Sequence, residues 1–437
     1  MSYTSLDGER KRGLCEDVFG TEVLRDLHPD AVVLLACKSL RLFSFGFLAV
    51  MLVMYLTEIG LSTTSIGWLF SLTILGDALI SIVLTSRADV FGRRSTLILG
   101  SLLSGLTSFV FLTQKDFYTL LIAGIFGVIS PSGYEIGPFM AVELSALAEV
   151  TRSEDRTRLM AWYNLFACFA SAIGALVCGF LIDYSVRQGR TALEAYQLVL
   201  FIYAIVQILL GYLFFKLSPA IEVPSTKAQV KEVNPVSLFL GLHKSKGIIM
   251  KLSALFMIDA FAGSFVLMSI VTGWFHIVYY TDPRLLGSMV FVCNLVAGVS
   301  ALFAAKLADY IGLILTMVVT HLPSNVLLML VPLMPGESSA IAMLCARYCI
   351  SQMDVPTRNA YVQGVVEPDE RSAANGITNV VRSIGGALGP PLSGILLENR
   401  AYMHYPFIIA GGLKIVYDLL IVSSFAAVKP AGEELRR

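Results

Sequence analysis

Charged residues are scarce in this chain. Lys, Arg, Asp and Glu make up 15% of its 437 residues, whereas 56% are hydrophobic, and the mean hydropathy is +0.74. A soluble surface cannot cover that much apolar side chain, so the composition predicts an integral membrane protein. The 32 basic and 32 acidic residues balance, and no Lys/Arg-rich run is present, which excludes a nucleic-acid partner.

Motifs of enzyme chemistry are also lacking. The sequence has no HExxH, no spaced Cys/His cluster, no phosphate-cradling loop and no Ser/His/Asp constellation, and its five histidines are scattered. These absences argue against an enzyme and against direct ATP drive, and we expect no metal and no cofactor. Residues 1–30 contain no short apolar stretch ending in a small-residue cleavage site, so we expect the first span to direct insertion.

Long apolar runs, by contrast, occur twelve times. A helix needs about 20 mostly apolar residues to cross the hydrocarbon layer of a bilayer. The predicted fold class is therefore all-α integral membrane, with twelve transmembrane helices. The predicted spans are 31–57, 64–86, 95–113, 117–148, 158–182, 194–216, 248–278, 286–307, 312–334, 338–365, 371–396 and 404–428.

Polar segments divide these spans into two sets of six. The division predicts two six-helix bundles, at 31–216 and 248–428, joined by a linker at 217–247 that is rich in Lys, Pro and Ser. Short tails, 1–30 and 429–437, complete the chain.

The basic residues are distributed unequally between the two sides of the predicted membrane. The side that carries both termini and the linker has 20 Lys/Arg, and the opposite side has five. Short basic loops are retained in the cytoplasm, so both termini are expected there. Without a visible sorting signal, the plasma membrane is the default location for this multi-pass protein.

An internal repeat relates the two halves. The segment from Asp89 to Gly92 after span 2 matches the segment from Asp309 to Gly312 after span 8, at an offset of about 220 residues. A second match, around spans 5 and 11, has nearly the same offset. The agreement predicts duplicated halves.

The first of these segments resembles the loop signature of the major facilitator superfamily, G-x-x-x-D-R-x-G-R-R. Four positions match, at Asp89, Gly92, Arg93 and Arg94, and two differ. The resemblance implies two bundles related by pseudo-two-fold symmetry around a central cavity. It also implies that ion pairs at these loops hold a cytoplasmic gate in one state.

A second resemblance lies in span 11. Its spacing of Gly and Pro is similar to the G-x8-G-x3-G-P-x2-G-G pattern of superfamily antiporters, which lies there in span 5. The alternative is that the glycines allow close helix packing and that two prolines bend the helix. The matching residues are Gly376, Gly385, Gly389, Pro390 and Gly394.

Twelve Lys, Arg, Asp and Glu residues lie inside the predicted spans, away from the span ends. An isolated charge at mid-bilayer costs at least ~2.5 kcal/mol on insertion scales, so each needs a partner, water or a function. Equal numbers of cations and anions are compatible with structural pairing. They are Lys38, Arg41, Arg347, Arg358, Arg382, Lys414, Asp77, Glu135, Glu143, Asp259, Asp354 and Asp418.

Two pairs of charged residues are spaced four positions apart within one span. Lys414 and Asp418 face the same side of span 12 and are predicted to form a structural ion pair. Asp354 and Arg358 have the same spacing, with Pro356 between them. Because Pro356 removes a backbone donor, this pair is either a plain structural pair or one with a gating role.

Asp77 and Arg382 lie at similar depth in spans 2 and 11. In the superfamily fold these spans face one another, so the resemblance implies an Asp77–Arg382 pair that forms and breaks as the bundles rock.

Three further residues are candidates for binding substrate or protons. Arg41 and Asp259 occupy corresponding places in spans 1 and 7, which line the cavity in superfamily transporters. Glu135 lies in a span 4 stretch that is interrupted by Pro and Gly. Buried structural pairing is the alternative for Arg41 and Asp259. For Glu135 the alternative is a buried acid bonded to freed backbone amides or to Tyr134.

These observations predict a secondary active transporter that moves a small organic solute by alternating access. Proton coupling through Asp77, Glu135 or Asp259 and export of the solute are favoured. One alternative is a nutrient facilitator or symporter, and another is a membrane sensor of the same fold that does not transport. The expected partners are a small-molecule substrate, protons and the lipid bilayer, and the protein is expected to be a monomer.

Overall fold

A computed structural model describes most of the chain. The described residues are 21–25, 27–127, 138–152, 155–222, 242–367, 370–426 and 428. Within these ranges the chain folds into helices and short connections. Ten helical segments of these ranges are long and apolar enough to cross a membrane, and one of them, Lys246–Tyr279, consists of two successive helices.

The helices α1 to α7 form the first half of the chain. Several begin at side-chain caps, including Ser62 before α2, Asp116 before α4 and Thr191 before α7. Their bounds are α1 Pro29–Glu58, α2 Thr63–Phe91, α3 Arg93–Thr113, α4 Phe117–Phe126, α5 Pro138–Glu149, α6 Arg156–Arg187 and α7 Ala192–Phe215.

The helices α8 to α15 form the second half. The helix α10 begins with Pro283 after the cap Asp282, a usual place for proline because the first helical turn needs no N–H donor there. The bounds are α8 Lys246–Ser264, α9 Met268–Tyr279, α10 Pro283–Ile311, α11 Leu313–Leu330, α12 Glu337–Ser351, α13 Asp354–Val365, α14 Arg371–Glu398 and α15 Tyr405–Phe425.

Three predicted spans each contain two helices instead of one. Span 4 contains α4 and α5, span 7 contains α8 and α9, and span 10 contains α12 and α13. In span 10, Pro356 occupies the first turn of α13, where proline is tolerated although it disfavours a continuous helix through that point. Broken helices within a membrane are stable where protein or a cavity satisfies the freed backbone groups.

Packing between the halves brings α2 against α14, α6 against α10 and α1 against α9. The helices approach closely at glycines. A methyl group added at Gly67 would lie 2.3 Å from the Pro390 carbonyl oxygen, and one added at Gly179 would lie 2.4 Å from the Pro283 carbonyl oxygen. Small residues at these crossings allow the backbones to touch, as is usual between membrane helices.

The outer surface is apolar. Large hydrophobic side chains such as Leu79, Leu106, Ile208, Phe303 and Leu388 are more than half exposed. In contrast, many charged side chains of the spans are buried inside the bundle. This distribution is the one expected of a surface that faces lipid tails.

Candidate functional site

The carboxylate of Asp259 joins four helices of the second half. Asp259, on α8, is 4% exposed and lies 2.6 Å from Lys414 Nζ on α15. It also lies 3.2 Å from Arg358 on α13 and 3.4 Å from Arg382 on α14. One anion therefore faces three cations, which attract it but repel one another. We call these four residues the Asp259 cluster.

A hydrogen-bond chain extends from this cluster. Lys414 Nζ lies 3.5 Å from Nε2 of His321 on α11, and Nδ1 of the same ring lies 2.8 Å from Asp418. The Asn325 amide donates to the other Asp418 oxygen at 2.9 Å. The geometry fits a neutral His321 that donates from Nδ1 to Asp418 and accepts from Lys414 at Nε2. The buried carboxylates of Asp259 and Asp418 are thus connected through polar hydrogens.

The predicted Lys414–Asp418 ion pair is not formed in this conformation. Although the two residues share a face of α15, Lys414 extends to Asp259 on α8, while His321 and Asn325 on α11 bind Asp418. Each residue of the predicted pair therefore binds side chains of a neighbouring helix. Such contacts satisfy charges that are buried between helices. The predicted Asp354–Arg358 pair is present, at 3.1 Å.

A cavity of about 230 Å³ lies against the Asp259 cluster. The breaks in spans 7 and 10 open onto it, since Leu267 and Gln352 belong to its lining. Arg347 on α12, 8% exposed, also lines it, and its Nε atom has no hydrogen-bond partner among the described residues. The cavity thus combines interrupted helices with several cationic side chains.

The first half contains a separate buried charge cluster. Arg41 on α1 and Glu143 on α5 are both fully buried, and Arg41 Nη2 donates to Glu143 Oε2 at 2.7 Å. The hydroxyl of Tyr163 on α6 donates to the same oxygen. Lys38 Nζ lies 4.4 Å from the centre of the Tyr163 ring, a cation–π contact. Arg41 is consequently held by a bidentate pair and does not face Asp259.

Asp77 differs from the other membrane carboxylates. It is 1% exposed, and neither of its carboxylate oxygens has a hydrogen-bond partner in the part of the chain that the structure describes. The predicted Asp77–Arg382 pair is not formed in this conformation, because Arg382 turns toward Asp259. An unpaired carboxylate in a dry site is costly when charged, so Asp77 is a candidate for taking up a proton.

The signature loop between α2 and α3 binds the segment that follows α7. Gly92 has a φ of +95°, a conformation that favours glycine. The backbone N–H groups of Arg93 and Arg94 donate to Glu222 at 2.7 and 3.0 Å. This carboxylate therefore caps the positive end of α3. The Asp89 backbone belongs to the last turn of α2, and its side chain lies outside the described part.

Further contacts fix this segment, residues 217–222. The Arg93 guanidinium donates to the Ile221 carbonyl at 3.0 Å, and Arg94 donates to the Leu217 carbonyl at 3.3 Å. The Ser218 N–H donates to Asp30, in the first turn of α1, at 3.0 Å. We call residues 217–222, with these partners, the linker clasp.

The equivalent loop of the second half is simpler. Gly312, with a φ of +85°, separates α10 from α11, and Asp309 is exposed at the end of α10. A buried carboxylate does cap a helix start in this half, however. Glu370 accepts from the N–H groups of Lys244 and Ser245, at 2.8 and 2.9 Å, just before α8 begins.

The glycines of α14 pack against both halves. An added methyl group would lie 2.5 Å from the Met257 carbonyl oxygen at Gly385, 2.1 Å from Ser264 Oγ at Gly389 and 2.3 Å from the Thr63 carbonyl oxygen at Gly394. Gly376 is half-buried, and the helix continues through Pro390 and Pro391. The first two contacts are with α8 and the third is with α2.

Several contacts of the two buried clusters and of the signature loop were not predicted from the sequence. Glu143 was one of the twelve membrane charges, yet nothing in the sequence showed that it faces Arg41 from another helix. His321 was one of five scattered histidines, and Glu222 lies in the predicted linker. Glu135 lies outside the described residues, and the structure therefore gives no information about it.

Comparisons with known proteins agree with this architecture. Residues 34–353 match the family model of the Major Facilitator Superfamily. An uncharacterized membrane protein of Saccharomyces cerevisiae is 29% identical over 91% of this chain and 94% of its own length. Multidrug resistance protein 2 of Bacillus subtilis is 21% identical, covering 88% of this chain and 92% of that protein. The crystal structure of a D-xylose–proton symporter is similar with a TM-score of 0.71 and 13% identity, covering 93% and 99% of the two chains.

The chain belongs to the Major Facilitator Superfamily. It is an all-helical, multi-pass membrane protein with the fold of that superfamily, and its members are secondary transporters of small molecules, not enzymes. The broken helices, the buried charges and the cavity are therefore parts of a transporter.

Proposed function

We propose that this protein moves a small organic solute by alternating access and couples that movement to protons. The observation that carries the proposal is the Asp259 cluster at the wall of a cavity. Apolar residues of similar size would pack there at lower cost in free energy than a buried ionic cluster. Intramembrane charges that line a cavity are typical of substrate and ion pathways.

The proposed architecture has two six-helix bundles related by pseudo-two-fold symmetry, at residues 31–216 and 248–428. Spans 4 and 10, which are divided into shorter helices, supply the two spans beyond the ten segments that are long and apolar enough to cross a membrane. Both termini and the linker at 217–247 lie in the cytoplasm, because that side holds most of the basic residues of the loops. The plasma membrane is the proposed location, and the protein is proposed to act as a monomer.

The conformation supports access from the cytoplasmic side. Hydrogen bonds between the halves run from Thr63 to the Gly394 carbonyl at 2.8 Å and from Thr272 to the Ala49 carbonyl at 2.9 Å. Thr63 begins α2, and Gly394 lies near the end of α14, so the first of these contacts is at the membrane face opposite the termini. Contacts at that face close the outer side, as expected of an inward-facing state.

Two features support proton coupling. Asp77 is a buried carboxylate whose oxygens have no partner in the described ranges. The chain from Asp259 through Lys414 and His321 to Asp418 offers polar hydrogens that can shift between buried carboxylates. The D-xylose–proton symporter, a proton-coupled protein by its name, shares the fold.

Export of the solute is favoured by the sequence pattern of α14 and by the similarity to a multidrug resistance protein.

The test is transport by purified protein in lipid vesicles. Vesicles are loaded with a defined mixture of amino acids, sugars, carboxylates and nucleosides, and the release of each is followed by mass spectrometry under an imposed pH gradient. We expect release of at least one compound that exceeds release from protein-free vesicles and that depends on the gradient. Asp259→Asn should reduce this release at least tenfold.

A matched control is Asp183→Asn, which removes a carboxylate that pairs with the exposed Arg187 at 3.0 Å, far from the cavity. It should leave release unchanged. Release that ignores the pH gradient would favour a facilitator over a proton-coupled transporter. Binding of a compound without any flux would instead support a sensor that keeps the fold, and would contradict the proposal.

A further inference from the structure

The cavity beside Asp259 carries more positive than negative charge. Four cationic residues line it, against two carboxylates, Asp259 and Asp354. The excess of two positive charges falls to one when Asp418, behind His321, is included. The cations are Arg347, Arg358, Arg382 and Lys414.

The two carboxylates do not contact the four cations equally. Arg358 contacts both Asp259 and Asp354, and Lys414 contacts Asp259 at 2.6 Å. Arg382, in contrast, reaches Asp259 only at 3.4 Å, and 30% of its side chain is exposed. A guanidinium has five N–H donors in a planar fork, and one long contact leaves most of the Arg382 donors available.

Arg347 is the second available guanidinium. No carboxylate pairs with it in the described ranges, and its Nε atom is buried without a hydrogen-bond partner. Its guanidinium carbon lies 5.1 Å from the centre of the Tyr348 ring, a contact that leaves the edge of the fork open. A buried cation without an anion is costly, so the site is incomplete without a negative ligand.

We propose that the transported solute is a small organic anion whose carboxylate is bound by Arg382 and Arg347. This inference rests on the proposed function and names the substrate class of the same site. Guanidinium groups bind planar carboxylates with two parallel hydrogen bonds, which gives both energy and orientation. The bound anion also neutralises one positive charge of the lining.

The rest of the lining limits the ligand. Val266, Leu267, Met268 and Val355 form an apolar wall near the arginines. A volume of about 230 Å³ is below the ~300–1,000 Å³ that is usual for sites of drug-sized ligands. The fitting ligand is therefore a small carboxylate with a short apolar part, and a bulky hydrophobic cation is excluded by both size and charge.

The experiment measures binding, which does not require transport. The melting temperature of the purified protein in detergent is recorded with acetate, lactate and benzoate, and with the neutral analogues acetamide, propane-1,2-diol and benzamide. We expect the anions to raise the melting temperature and the neutral analogues to leave it unchanged. For the best anion, Arg382→Gln and Arg347→Gln should each weaken binding at least tenfold, and Arg382→Lys should weaken it less.

The matched control is Arg400→Gln, which removes an exposed arginine in the turn between α14 and α15. Binding of this variant should equal that of the wild type. If an arginine-to-glutamine variant does not fold, the wild-type comparison of anions with neutral analogues and the Arg382→Lys variant still decide the matter.

Three results would overturn the inference: no anion of the panel binds, a neutral analogue binds as well as its anion, or the arginine variants bind normally. Failure of the proposed function gives a different pattern. Anion binding that needs Arg382, with no flux in vesicles, supports this inference and contradicts transport. Flux of a neutral or cationic compound without anion binding contradicts this inference alone.

Discussion

Lys414 and Asp259 form a buried ion pair across two helices, with 2.6 Å between Nζ and the carboxylate oxygen. Two arginines also face Asp259, so the carboxylate keeps partners when Lys414 is removed, whereas the cations lose their common anion when Asp259 is removed. The residue that holds the cluster together is therefore the acid.

We expect Asp259→Asn to lower the free energy of unfolding by about 3–5 kcal/mol, the usual effect of breaking a buried ionic cluster. Lys414→Met should lower it by less. In double-mutant cycles based on denaturant unfolding, the coupling energy of Lys414 with Asp259 should exceed that with Asp418. A larger coupling with Asp418 would support the local pair that the sequence predicted.

The pair between Arg41 and Glu143 is expected to be structural. Both side chains are fully buried and form two hydrogen bonds, so Arg41→Ala and Glu143→Gln should each lower the free energy of unfolding by about 3–5 kcal/mol. Thermal unfolding in detergent measures this, with Arg187→Ala as the control for an exposed pair. Near-normal stability of both buried-pair variants would show that the pair is dispensable.

Asp77→Asn should separate coupling from folding. Because the Asp77 oxygens have no partner among the described residues, the amide should be tolerated and the melting temperature should stay equal or rise. Exchange of solute between vesicle and medium should continue, while accumulation driven by a pH gradient should fall at least tenfold. A drop in melting temperature would reveal a partner of the charged carboxylate, and unchanged gradient-driven transport would remove Asp77 from the coupling pathway.

Neighbouring glycines of α14 provide a matched pair for testing helix contact. A methyl group at Gly385 would lie 2.5 Å from the Met257 carbonyl oxygen, whereas one at Gly386 would meet no atom within 4 Å. Gly385→Ala should therefore force α14 away from α8 and reduce both stability and transport. Gly386→Ala should be neutral or stabilise by up to ~1 kcal/mol, because alanine favours helix. The two variants can be compared by thermal unfolding and vesicle flux, and equal behaviour would contradict this packing.

The hydrogen bonds of Glu370 predict that the stability of the protein depends on pH. Its burial acts to raise the pKa, but hydrogen bonds from the Ser245 side chain and from the N–H groups of residues 243–245 outweigh it and lower the pKa to about 2. The carboxylate therefore stabilises the folded state above the pKa of the unfolded chain, about 4.3, and the stabilisation is lost as the pH falls toward 2.

The melting-temperature difference between the wild type and Glu370→Gln should accordingly be constant above about pH 5 and shrink below it. The control is Glu398→Gln, which replaces an exposed acid away from α8. Its melting-temperature difference from the wild type should not shrink in this way below about pH 5. A difference that persists unchanged at pH 3 would contradict the assigned hydrogen bonds.

The general fold was predictable because the bilayer imposes a strong pattern. Apolar runs of sufficient length gave the helices. The loop signature from Asp89 to Arg94 indicated the family, which the comparison confirms. The breaks were only partly visible. Pro356 marks the one in span 10, but nothing in the sequence near Phe265 signals the end of α8 so clearly.

The partners of the buried charges were not predictable from spacing. A spacing of four positions placed Lys414 and Asp418 on one face, but only the packing of α8 and α11 against α15 decided which acid or base each would meet. The pairing of Asp77 with Arg382 was predicted from their similar depth and from the resemblance to the superfamily fold. Neither shows that Asp259 also lies near Arg382 and binds it instead. Side-chain pairing between helices depends on rotation about each helix axis, which a sequence pattern leaves undetermined.

The linker clasp determines which parts of the protein move together. Its contacts tie the beginning of α1, the α2–α3 loop and the exit of α7 into one unit. In the proposed alternating-access movement, residues up to Glu222 should move together with the first half of the chain. The part of the chain that connects Glu222 to α8 is consequently shorter, by seven residues, than the whole interval between α7 and α8.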